Sequence, residues 1–180
     1  ISGCRNNGSI NASDVIVLIN SNAQTEAVAI EKVVPYLNHF GVKFKTIDIA
    51  NEDMTSAGID PALVIIGHSE IIPDGDKELA GKLKKYLNKC QAKGTGILSF
   101  DPFMPGSLLT QPVDKSEKDT DVGELVFSNE DHYITEYRQA GEKQNLFGYM
   151  SIPELSLKTG QVLLTGNDLP LLAVSSQQKG

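Results

Sequence analysis

Short apolar runs bounded by polar residues alternate with amphipathic segments along the first hundred residues. Four such runs predict β-strands, at residues 15–19, 42–49, 63–67 and 95–100. The first and third are continuous and rich in β-branched side chains, which is typical of parallel strands buried on both faces. We therefore expect residues 15–19 to form a central strand.

Two segments between these runs have the periodicity of helices. Residues 25–40 and 76–93 each place apolar side chains on one stripe, and the second segment carries lysines opposite its stripe and Gly94 as its end. Pro35 predicts a kink or a tightened turn in the first segment, because proline lacks an amide donor. The order β-α-β-turn-β-α-β predicts parallel strands joined by right-handed crossovers.

The second half of the chain is less regular. Residues 102–123 predict a long surface excursion, and a short helical turn is expected near 133–139. Further strands are expected at residues 124–128, 146–152, 161–165 and 171–175. The pattern predicts one α/β domain over residues 14–180 after a flexible tether or linker at 1–13. The last residues resemble a turn, so we expect a longer protein that supplies a missing C-terminal strand.

Composition narrows the function classes. The chain has 180 residues, of which 40% are hydrophobic, so it can bury a core without disulfides or metal. Its net charge of −7 argues against nucleic-acid binding, which needs clustered cationic side chains. No apolar run approaches the roughly 20 residues of a membrane span. The glycines at 94 and 96 precede a strand instead of following one, so no nucleotide or other cofactor is expected.

The two cysteines have different contexts. Cys90 continues an apolar helical series and is expected to be a buried hydrophobe. Residues 1–4, Ile-Ser-Gly-Cys, resemble a bacterial lipobox followed by a polar tether. Cys4 is therefore a lipidation candidate, which would place the protein outside the cytoplasm, anchored by lipid in the periplasm or at the cell surface. An ordinary linker that contains a cysteine, in a cytoplasmic protein, is the alternative.

Polar residues follow each predicted strand. Because the carboxyl ends of parallel strands share one edge, these residues are expected to be neighbours that could bind a polar ligand. The binding candidates are Asn20, Ser21, His68, Ser69 and Asp101, with Asp48 and Glu70 nearby.

His68, Glu70 and Asp101 would supply a base, an acid and an orienting carboxylate, the minimal parts of a hydrolytic or metal site. In the alternative interpretation, Asp101 caps a turn, His68 satisfies loop carbonyls and Glu70 is solvated. His132 has the same two interpretations, because it can pin a loop without touching a ligand.

Several short segments carry a family resemblance. They are Leu63–Gly67, Gly94–Leu98, His132–Thr135 and Pro170–Val174. Over residues 14–180 the chain resembles class I glutamine amidotransferase-like domains, and is similar to their non-catalytic members in β-galactosidase trimerisation-type and trehalose-utilisation-like proteins. The resemblance implies a flavodoxin-like three-layer sandwich with a mostly parallel central sheet.

Catalytic members of that family carry a cysteine in a tight elbow after the fourth strand, where this chain has Asp101 and Pro102. A carboxylate cannot replace the thiolate, and Pro102 lacks the N–H that an oxyanion hole would use. The resemblance therefore implies a non-catalytic binding or assembly module of an exported, carbohydrate-related bacterial protein.

The expected partners are a carbohydrate or other polar small molecule, adjoining domains, or further copies of the chain. Two alternatives remain. The first is a hydrolase that acts on a sugar derivative through His68, Glu70 and Asp101, and the second is a pure oligomerisation domain.

Overall fold

A computed structural model of the chain describes residues 14–58, 60–101, 110–112, 119–128, 132–153, 155–157 and 160–174. Contacts divide the chain into two compact units, Ile1–Gly106 and Ser107–Gly180. The predicted tether at 1–13, with the lipidation candidate Cys4, lies outside the described residues. The single α/β domain over residues 14–180 stays a prediction.

The first unit contains a four-stranded parallel sheet. Its strands are β1 (Val15–Ile19), β2 (Phe44–Asp48), β3 (Leu63–Ile66) and β4 (Gly96–Ser99). They lie in the order β2-β1-β3-β4, and every neighbouring pair is parallel. Strand β1 pairs with both β2 and β3, so the predicted central strand and the parallel arrangement are confirmed.

Helical segments connect these strands. They are α1 (Glu26–Val28), a π-helical segment (Ala29–Val33), α2 (Val34–His39), a 3-10 turn (Met54–Ala57) and α3 (Lys77–Ala92). Helix α3 begins where the Asp76 carboxylate accepts from the Leu79 amide at 2.9 Å, and it ends before Gly94, whose φ is +92°. Both ends of α3 agree with the prediction.

The turn before Pro35 differs from the prediction of a kink or tightened turn. The amide of Val34 donates to the carbonyl of Ala29, five residues back, so the helix widens instead. In an unbroken α-helix, the proline ring would meet the carbonyl four residues earlier and would leave it without a donor. The wider turn accommodates the proline while the segment remains helical.

Helices cover both faces of the parallel sheet, because side chains alternate along β1. Ile16 and Leu18 pack in one apolar cluster with residues of α3. Val17 and Ile19 pack in a second cluster, with Ala29 and other residues of the first helical region. The first unit therefore has helical segments on both faces of a parallel sheet, in agreement with the buried parallel strands that the apolar runs predicted.

The second unit is built from antiparallel strands. They are β5 (Thr110–Pro112), β6 (Asp119–Phe127), β7 (Lys143–Pro153), β8 (Leu155–Leu157), β9 (Gln161–Gly166) and β10 (Leu169–Val174). Four of them form a sheet in the order β10-β9-β6-β7, and β5 pairs with β8. The predicted later strands are present, but they form a separate antiparallel sheet.

Two local predictions for the second half were wrong. The expected excursion at 102–123 contains β5 and the start of β6, because β6 pairs with β7 from Asp119 onward and buries Val122. The expected helical turn near 133–139 is a series of separate turns, in which Thr135 and Arg138 donate to carbonyls three residues back. Residues 119–127 thus form a strand because they pair with strands that are distant in sequence, although their local pattern is polar.

Glycine allows a close approach directly after β3. A Cβ at Gly67 would lie 2.8 Å from the Ala29 Cβ and 3.2 Å from the Leu18 carbonyl oxygen. Nothing lies within 4 Å of a Cβ at Gly81, which is in the middle of α3. The first glycine is thus required by packing, and the second is not.

We expect Gly67→Ala to lower the free energy of unfolding by about 1–3 kcal/mol, because the added methyl group must displace packed neighbours. The matched substitution Gly81→Ala should raise it by about 0.5–1 kcal/mol, since alanine favours a helix interior. Urea unfolding of the three proteins measures both changes. Equal effects of the two substitutions would contradict the packing described for Gly67.

Candidate functional site

The predicted binding residues lie at one edge of the parallel sheet, directly after the strands end. In this strand order the chain leaves β1 toward β2 on one side, and β3 lies on the other. The loops after β1 and β3 therefore border the position where open α/β sheets usually bind ligands. These loops hold Asn20 and Ser21 on one side and His68, Ser69 and Glu70 on the other.

The imidazole of His68 joins the two loops. It is fully buried, and its Nε2 atom accepts from the backbone amide of Asn20 at 2.9 Å. Because an amide can only donate, Nε2 carries the lone pair and the ring proton is on Nδ1. Nδ1 lies 2.7 Å from the Ser69 carbonyl oxygen and 3.0 Å from the Thr25 hydroxyl. Both ring nitrogens are therefore bonded within the chain.

Asn20 and Thr25 strengthen the same junction. The Asn20 side chain is buried, donates to the Ile71 carbonyl at 2.8 Å and accepts from the Asn22 amide at 3.0 Å. The Thr25 hydroxyl donates to the Ser69 carbonyl. Sequence reasoning assigned Thr25 only to a helix start, and no local signal links it to a histidine 43 residues away.

Ser21 belongs to a second cluster, centred on Asp48 at the end of β2. The carboxylate accepts from the Ser21 amide at 3.0 Å and the Ser21 hydroxyl at 2.6 Å. It also accepts from the Ala50 amide and the Asn51 side chain. Partial burial opposes the charged form, but these four donors outweigh it and hold the pKa of Asp48 below its usual value.

Asp101 supports the loop after β3 from the end of β4. Its carboxylate is buried and accepts from the Ile71 amide at 3.1 Å. The Ser99 hydroxyl accepts from the Asp101 amide at 3.0 Å and donates to the Asp101 carbonyl at 3.1 Å. The carboxylate of Asp101 therefore contacts backbone, as a turn-capping aspartate does.

Glu70 is the exposed member of the predicted hydrolytic set. Its φ of +54° is in the left-handed region, and its side chain is exposed. Within the described part of the chain, no hydrogen bond joins any two of His68, Glu70 and Asp101. The backbone reversal at Glu70 returns the chain to the core at Ile71, which is fully buried. The ligand site predicted at these residues stays a prediction.

The remaining reactive side chains lie elsewhere. Cys90 is buried beneath α3, as predicted, and burial raises the pKa of its thiol although the Tyr86 hydroxyl acts in the opposite direction. In the second unit, His132 pins a turn, since its Nδ1 accepts from the Ile134 amide at 3.2 Å and its carbonyl accepts from the Thr135 amide at 2.8 Å.

The described ranges hold neither a metal-binding cluster nor a membrane-spanning helix. Three or more His, Cys, Asp or Glu side chains do not come together there as a metal-binding group. Among the helices of those ranges, none combines the length and the apolar character of a transmembrane helix.

Comparisons with known proteins give little further guidance. No protein-family model matches the chain, and no curated protein matches it. A solved structure from Bacteroides uniformis, described as a ThuA-like protein, is similar with a TM-score of 0.47 and 12% sequence identity. That similarity covers 91% of this chain and 71% of the other. A similarity of this size does not by itself assign a fold or an activity.

The cluster around Asp48 predicts a pH dependence. A carboxyl group whose pKa is lower in the folded chain stabilises the fold above its unfolded pKa of about 3.9, and this contribution is lost as the pH falls toward the folded pKa. We expect Asp48→Asn to be less stable than wild type at pH 7 and to lose less stability on acidification below about pH 4.

Thermal unfolding between neutral pH and pH 3 measures this difference. The control is Glu52→Gln, which lies in the same loop as Asp48. The Glu52 carboxylate is exposed and makes no hydrogen bond to a described residue. This control should follow the wild-type profile. Parallel profiles for wild type and Asp48→Asn would show that the four hydrogen bonds do not stabilise the charged form.

Proposed function

We propose that the chain is a non-catalytic binding or assembly module of the amidotransferase-like kind, with a flavodoxin-like architecture. The use of both His68 ring nitrogens inside the chain carries the proposal. A general base needs a nitrogen within reach of a substrate proton, and Nε2 of His68 instead accepts the Asn20 amide at 2.9 Å. Breaking that bond would leave a buried backbone donor without a partner.

The position of Asp101 supports the same proposal. The family's catalytic members need a nucleophile after the fourth strand, and Asp101 instead binds the Ile71 amide. Cys90, the single thiol among the described residues, lies in the core. These side chains hold the loops of the sheet edge in place, so the edge is a rigid support and not a reaction centre.

The biological setting is part of the proposal. The lipobox-like residues 1–4 support an exported, lipid-anchored protein of bacterial origin. The resemblance to trehalose-utilisation-like and β-galactosidase trimerisation-type domains supports a role connected with carbohydrate.

Three substitutions separate a structural role from a hydrolytic one. We expect the wild-type chain not to release product from p-nitrophenyl glycosides or from glutamine. His68→Leu and Asp101→Ala should each lower the free energy of unfolding by about 1–3 kcal/mol, because each removes the acceptor of a buried backbone amide, Asn20 or Ile71. Glu70→Gln should change it by less than about 0.5 kcal/mol, because the side chain is exposed.

Product release and urea unfolding are measured on the same four proteins. The hydrolase alternative predicts the reverse pattern, in which Glu70→Gln abolishes product release while stability is kept. The proposed function would be contradicted if the wild type released product and one of the three substitutions abolished that release without unfolding the chain.

A further inference from the structure

Tyr149 of the second unit lies against the backbone of the neighbouring strand with its ring open to solvent. A Cβ at Gly123 would be 3.2 Å from Cε1 and 3.4 Å from Cδ1 of the ring, so a side chain at this position would push against the ring. Tyr149 is nevertheless 82% exposed. The ring is thus supported from one side and accessible from the other.

An irregularity in the pairing of β6 and β7 produces this exposure. Val122 pairs with Met150 and Glu124 pairs with Asn145, so residues 146–149 lie opposite Gly123 alone. A bulge of this kind turns side chains away from the regular sheet surface. Phe147 projects fully into solvent from the same bulge, and Tyr149 leans on Gly123.

The strand beneath the ring is anchored in the core of the second unit. Val122 is fully buried, and its Cγ1 atom would lie 2.4 Å from a Cβ at Gly166, so β6 and β9 approach closely. Gly123, as the next residue, presents the opposite face of β6. The strand on which the Tyr149 ring leans is therefore packed against the core of the second unit.

Side chains alternate along β6, so Asp121 is expected on the same face of the strand as Gly123, on which the ring leans. Asp121 pairs with Ser151 across the two strands, and both are two residues from the Gly123–Tyr149 contact. Both are exposed, and the Asp121 carboxylate has no hydrogen bond or ion pair with a residue that the structure describes. A carboxylate only accepts hydrogen bonds, whereas a serine hydroxyl donates and accepts.

We propose that Tyr149, Asp121 and Ser151 form a binding site for a neutral pyranose ring of a glycan. The apolar C–H face of a pyranose can stack on the open side of the tyrosine ring, while its hydroxyl groups donate to Asp121 and exchange hydrogen bonds with Ser151. The carboxylate and the chain's net charge of −7 disfavour an anionic ligand. A purely apolar partner would leave the carboxylate desolvated without a donor.

This site gives the proposed binding module a ligand class and a location. The inference rests on the proposed function only in assuming that the chain binds a ligand and does not cleave it. The ligand surface lies on β6 and β7, and none of the residues at the parallel-sheet edge takes part in it. The two proposals can therefore fail separately.

The test titrates maltotetraose, cellotetraose and β-1,4-galactotetraose into the whole chain labelled with 15N, with tetragalacturonate as the anionic comparison. We expect at least one neutral tetrasaccharide to shift the amide signals of Gly123 and Tyr149 and to bind more tightly than tetragalacturonate. Tyr149→Ala should raise its Kd about tenfold, and Tyr149→Trp should restore binding.

Two further variants refine the test. Phe147→Ala removes a fully exposed aromatic ring from the same bulge and should leave the Kd unchanged. Gly123→Val keeps the tyrosine but displaces its ring, so it should weaken binding while the circular dichroism spectrum stays that of the wild type.

Several results would overturn the site. They are the absence of a shift with all three neutral glycans, tighter binding of tetragalacturonate, unchanged binding in Tyr149→Ala, and a dimer in sedimentation that protects Tyr149 instead of a glycan. Hydrolysis of a bound tetrasaccharide during the titration would contradict the non-catalytic proposal but would leave the location of the glycan site intact.

Discussion

The hydrogen bond from the Asn20 amide to Nε2 of His68 is the interaction on which the edge of the parallel sheet depends. It joins the loops after β1 and β3, two adjacent strands, across 48 residues of sequence. It also fixes the ring proton on Nδ1, where the Ser69 carbonyl and the Thr25 hydroxyl bind it. One buried imidazole thus joins the two loops, and both of its ring nitrogens are hydrogen-bonded within the chain.

The surrounding polar groups follow the same principle. A parallel sheet brings all its carboxyl ends to one edge, where several backbone donors and acceptors lack strand partners. Asp48 and Asp101 supply acceptors for such donors, and Asn20 supplies a donor and an acceptor. The residue types that would build an active site are here used to satisfy backbone groups, which explains an enzyme-like composition in a module that we propose to be non-catalytic.

Local pattern was sufficient for much of the first unit. Strands β1 and β3 and helix α3 were predicted to within about two residues, because each buries a continuous run or a regular stripe. The widened turn before Pro35 was not predicted, since the sequence indicates only that a donor is missing there. The start of β6 was hidden by Asp119 and Asp121, and it forms because β7 pairs with it.

The candidate site was also predicted only in part. The sequence placed Asn20, His68 and Asp101 near one sheet edge, because parallel strands impose a common end. It could not decide between a catalytic and a structural histidine, since that choice depends on the partner of each ring nitrogen. Thr25 and Tyr149 escaped prediction for a related reason. Their roles come from contacts with His68 and Gly123, which are distant in sequence.

The most direct test of the structural role of His68 is an NMR experiment that detects scalar coupling across the hydrogen bond between the Asn20 amide nitrogen and His68 Nε2. The account predicts a measurable coupling, together with 15N shifts that place the ring proton on Nδ1. A ring whose Nε2 carries the proton, shows no coupling to Asn20 and exchanges with solvent would contradict it.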